Sequence, residues 1–114
     1  MTITAKNIAE NIRVQQHAPV MSCLENMIWF NKQAAKLINA PCKICFNDDS
    51  GEWCIFKDLP DGFEIRQHGD RFTITTRARV LTRKLEAIFQ VSLPKFEIKT
   101  TADDKIFRLK IINQ

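Results

Sequence analysis

Between Gly62 and Ile112 the spacing of apolar residues changes period twice, and this limits the possible folds more than any other feature. GFEIRQHGDRFTITT alternates, RARVLTRKLEAIFQVS repeats at helical spacing, and PKFEIKTTADDKIFRLKII alternates again. A strand sends successive side chains to opposite faces, whereas a helix returns to one face every three or four residues. Phe63 and Ile65 then oppose Glu64 and Arg66, and Phe72 and Ile74 oppose Arg71, Thr73 and Thr75. Ala78, Leu81, Leu85, Ile88 and Phe89 share a helical stripe, with Arg79, Arg83, Glu86 and Gln90 opposite, and Pro94 closes the segment. The last hairpin aims Phe96, Ile98, Phe107, Leu109 and Ile111 at a core. The stretch reads as hairpin, helix over 78–92, hairpin.

The first forty residues read as helical. Residues 5–16 place Ala5, Ile8, Ala9 and Ile12 on one face behind Thr4 as N-cap. Over 20–39, Val20, Cys23, Leu24, Met27, Ile28, Phe30, Ala34, Ala35, Leu37 and Ile38 predict a second helix with an apolar stripe half its circumference wide. Asn31 falls inside that stripe and needs a hydrogen-bond partner if buried. Trp29 falls outside it, among Glu25, Lys32, Gln33 and Lys36. Such a tryptophan is either covered by another part of the fold or a contact for a partner. Pro41 ends the helix, and CKICF, a turn at NDDSG, and EWCIFK read as a further hairpin.

The expected fold is therefore α+β: a two-layer sandwich, an antiparallel sheet of about six strands with helices on one face, in the order α-α-β-β-β-β-α-β-β. At 114 residues, one domain is expected over 1–114, with 1–40 as its helical N-terminal part and 41–114 as a sheet with one helix inserted between hairpins.

The composition, 45% apolar and 26% charged, is that of a globular protein. No apolar run is long enough to span a bilayer and no secretory leader is legible, so the expected location is cytoplasmic and no membrane partner is expected. The four cysteines, Cys23, Cys42, Cys45 and Cys54, read as reduced core thiols. With His68, Cys42, Cys45 and Cys54 form a formal zinc set, but CKIC lies in a strand, which sends Cys42 and Cys45 to opposite faces. His68 beside Asp70 lacks a nucleophile at any fixed spacing. The acidic turns at Asp48-Asp49 and Asp103-Asp104 lack the alternation of a calcium loop. No catalytic residue, cofactor, metal or small-molecule substrate is indicated, and the chain reads as non-enzymatic.

Charge is the remaining signal. The net charge is +4, and residues 71–99 hold seven Lys/Arg against two acids. If the hairpins pair as written, Arg66, Arg71, Lys95, Lys99, Arg108 and Lys110 share the uncovered sheet face, and Arg77, Arg79, Arg83 and Lys84 add charge at the start of the helix. Clustered cations with hydroxyls suit contact with a phosphate backbone. The same residues suit a plain solvated face. The layout FEI-turn-RFTI, helix, KFEI-turn-IFRLKI resembles the double-wing DNA-binding domains of phage middle-promoter activators, which implies DNA contact. The order helix, three strands, helix, two strands resembles type III secretion chaperones, which implies a protein client. The first expectation is a small regulatory protein that contacts the DNA or RNA backbone through this basic face. The alternative is a protein-binding module (inhibitor, adaptor or chaperone, possibly a homodimer) that uses Trp29, Lys32 and Lys36.

Overall fold

A computed structural model describes residues 18–49 and 51–113. They form nine strands and two helices: β1 Val20–Cys23, β2 Ile28–Phe30, α1 Lys32–Leu37, β3 Lys43–Asp49, β4 Glu52–Lys57, β5 Phe63–Glu64, β6 Arg66–His68, β7 Arg71–Ile74, α2 Ala78–Phe89, β8 Lys95–Thr100 and β9 Ile106–Ile111. The predicted helix over 5–16 and its Thr4 cap lie outside the described residues.

The strands form one antiparallel sheet in the order β5-β3-β4-β9-β8-β1-β2-β7-β6, nearly closed into a barrel. The closure is legible in the connectivity. β5 and β6 are the two ends of that order, yet only Ile65 separates them along the chain. The amide of Ile65 donates to the Cys42 carbonyl at 2.9 Å and its side chain is buried, so one bent segment touches both margins of the sheet. Gly62, just before the bend, lies so near β3 that a Cβ would sit 2.9 Å from the Ile44 amide nitrogen. No larger residue fits there without displacing backbone.

The two-layer sandwich of about six strands is therefore wrong: residues 20–30 are two strands rather than helix, and FEIRQ, read as one strand, is split at Ile65 into β5 and β6. VMSC and IWF alternate: Met21, Cys23, Ile28 and Phe30 are buried, with Trp29 facing out. A turn closed by the Leu24 amide on the Met27 carbonyl, at 2.8 Å, separates them. The half-circumference stripe read as one long helix was the sum of two short strands and the six-residue α1. Short apolar runs carry no reliable period, and β-branched and aromatic content decides such cases.

One face of the sheet supplies the interior. Paired residues on it are apolar almost throughout: Met21 opposite Phe30 and Phe96, Ile28 opposite Ile74, Ile55 opposite Phe107, Ile98 opposite Leu109. Against this face α2 packs Ala78, Leu81 and Leu85, and Phe89 meets Phe96 edge-on with centroids 4.8 Å apart. Burying Leu85 in this way stabilises the fold by about 2–3 kcal/mol. Thr82, from the same stripe, donates its hydroxyl to the Leu24 carbonyl at 2.9 Å and ties the helix to the β1–β2 turn. The helix ends at Phe89, three residues short of expectation, with Gln90 capping it in the left-handed region. Ile88, expected in the stripe, is 42% exposed.

Asn31 caps α1 and anchors its entry. Its Oδ1 accepts from the Ala34 amide at 2.8 Å and from the Val20 amide at 3.1 Å, while Nδ2 donates to the Ala18 carbonyl at 2.8 Å. The hydrogen-bond partners demanded by its place among apolar residues are present.

Candidate protein-interaction face

The register assembles the site on the outer surface of the barrel. Lys95 on β8 pairs with Ser22 on β1, Ser22 with Trp29 on β2, Trp29 with Thr73 on β7, and Thr73 with Arg66 on β6. Paired residues in a sheet share a face. The result is a transverse row, cation–hydroxyl–indole–hydroxyl–cation, about 19 Å long from four strand spacings. Trp29 is 37% exposed, while Ser22 and Thr73 beside it are 6% and 3% exposed. Trp29 is thus an exposed member of the row, between two covered hydroxyl residues. Neither of the two aromatic pairs among the described residues includes it.

The ten cations expected to form a basic face are all exposed, but they do not form one field. Lys95, Lys99, Arg108 and Lys110 lie on β8–β9, while Arg66 and Arg71 lie on β6–β7, with β1 and β2 between the two groups. Arg77 is the N-cap of α2, Arg79 lies in its first turn, and Arg83 and Lys84 lie at its middle. Four of the ten are paired with acids: Arg66 with Glu64 at 3.5 Å, Arg83 with Glu86 at 3.0 Å, Lys99 with Glu97 at 3.3 Å and Arg108 with Glu52 at 2.9 Å. Exposed pairs of this kind stabilise the fold by at most ~1 kcal/mol each, and at four of the ten positions they offset the charge that phosphate contact needs. The nucleic-acid and regulatory reading has no support in this arrangement. The double-wing layout fails for the same reason, because β1 and β2 stand between the two hairpins that were to be its wings.

Trp29, Lys32 and Lys36 were expected to act together, and the fold separates them. Lys32 and Lys36 stand on α1 and line a groove of about 280 Å³ whose wall does not include Trp29. Ser22 escaped the sequence reading because residues 20–23 were assigned to a helix. The alternation Met21-Ser22-Cys23 was the available signal. A second groove, about 310 Å³, sits at the β5–β6 bend and mixes Lys43, Arg66 and Arg77 with Asp61 and Glu64.

Of the four cysteines, Cys23 and Cys54 are buried and Cys42 and Cys45 half-buried. All four are free thiols; Cys42 donates weakly to the Ile38 carbonyl at 3.7 Å, while Cys45 lies on the outward parity of β3 opposite Phe56. Burial, and secondarily the Glu86 carboxylate, push the Cys23 thiol up to about 12, against the lowering effect of its hydrogen bond with Thr82. Glu86 is held below the usual carboxylate range by the Leu93 amide, donated at 2.8 Å, and by Arg83. His68 is exposed and faces Arg71 across the hairpin. Among the described residues no cluster of three or more His, Cys, Asp or Glu could hold a metal ion, and no helix is long and apolar enough to cross a membrane. Compared with protein-family models, curated proteins and solved structures, the chain matches none.

Proposed function

We propose that this chain is a protein-binding module that engages an acidic partner surface through the Trp29 row. The observation that carries the reading is the exposed indole centred between two covered hydroxyl residues, with a cation at each end. Tryptophan combines a large apolar area with few rotatable bonds and is enriched at interface hot spots. Lys95 has no acid within ion-pair distance among the described residues, and Arg66 meets Glu64 only at 3.5 Å. Lys95 can steer an acidic partner onto the indole, and Arg66 contributes less because Glu64 offsets part of its charge.

The same charges argue against a second copy of the chain as the partner. A two-fold axis through Trp29 would bring Lys95 against Arg66 of the other copy, and like charges at a closing interface are repulsive. The expected species is a monomer that binds a fluorescein-labelled acidic peptide of Glu, Leu and Pro, read by fluorescence anisotropy. Affinity should fall as salt rises toward ~0.15 M and be lost in the double variant Lys95→Glu, Arg66→Glu. Undiminished binding by that variant refutes the reading. So does a concentration-dependent dimer of the native chain.

A further inference from the structure

We propose that the groove between α1 and the β6–β7 hairpin is a binding site for a monocarboxylate with a compact apolar body, independent of the Trp29 row. Its floor is Ala35, Ala40 and Phe72, all buried or half-buried. Lys32 and Lys36 stand at its rim, four residues apart and therefore on one side of the helix. Asp70 is the one acid of the lining, and neither lysine is ion-paired among the described residues. Two ammonium groups facing one carboxylate across an open groove leave a single positive charge unmatched. A monoanion balances that charge, whereas a dianion such as a phosphate monoester meets Asp70 with a charge to spare. The volume, about 280 Å³, is at the lower end of ligand pockets and admits a body of roughly ten heavy atoms.

The chemistry is shared by a free alkyl or aryl acid and by the C-terminal residue of a peptide. Backbone amide shifts in a nitrogen-labelled sample test it, with 4-phenylbutyrate, its neutral amide, and an acetylated peptide ending in phenylalanine as the free acid or the amide. The butyrate should shift Ala35, Ala40 and Phe72 saturably, with a dissociation constant of ~1 mM, as expected for a ligand this small. The neutral amide should bind at least tenfold more weakly, and so should the butyrate to the variant Lys32→Ala, Lys36→Ala. Asp70→Asn, an exposed change, should tighten binding of the acid by removing the opposing charge. Tighter binding of the peptide acid than of phenylbutyrate identifies a chain end as the source, and the reverse order identifies a free acid. Equal response to acid and amide, shifts centred away from the groove, or weaker binding by Asp70→Asn overturns the proposal.

Discussion

At the scale of single residues, Asn31 shows how one side chain holds irregular backbone in place. Asn31 satisfies a helix cap and the approach to β1 with one amide group. Asn31→Ala leaves the Val20 and Ala34 amides without this acceptor and should lower unfolding free energy by about 2 kcal/mol, measured by urea denaturation. Cys23 supplies a pH-dependent contribution. In the unfolded chain its thiol ionises near 9.0, while in the fold it stays protonated until about 12. The unfolded state therefore loses a proton first, and stability falls as pH rises between those two values, the contribution being fully present below the lower one. Relative to Cys23→Ala, the native chain should show the steeper alkaline decline in thermal midpoint. Equal slopes would show that the thiol is not held neutral.

At the scale of elements, α2 ends on a carboxylate. Glu86 accepts from the Leu93 amide and pairs with Arg83, and Leu93 itself has a positive φ of 46°. Because the folded carboxyl is lowered, its contribution is present above the ordinary value of 4.5 and is lost as pH falls through the lower folded value. Glu86→Gln keeps an acceptor but not the charge, so its acid unfolding curve should lose that limb of the pH dependence. The elements differed in how legible they were. The strands from 43 to 111, apart from the one that breaks at Ile65, and the helix at 78 were readable because each alternates or repeats against clear punctuation, such as Gly69 and Pro94. The β1–β2 hairpin was not, since four and three residues are too few to set a period and Leu24 and Met27 in its turn extend the apolar run. Trp29 stood out as an outward tryptophan under either assignment, but only the strand assignment reveals Ser22 and Thr73 as its neighbours.

At the scale of the whole molecule, closure of the sheet decides what the surface can do. Parity along each strand placed Arg66, Arg71, Lys95, Lys99, Arg108 and Lys110 outward, as alternation requires. Pairing between strands distant in sequence, β8 with β1 and β2 with β7, then distributed them around a curved surface. No local pattern encodes that order, and for this reason the basic face was legible as residues but not as a field. The same pairing produced the Trp29 row from four separate segments of chain. The question is whether this indole serves a partner or the fold itself. The anisotropy titration of the acidic peptide against Trp29→Ala, with the thermal midpoint recorded alongside, answers it most directly. The account predicts about a 30-fold loss of affinity, ~2 kcal/mol, with a midpoint that falls by less than in Leu85→Ala. Unchanged affinity, or a midpoint that falls as for a core truncation, would contradict it.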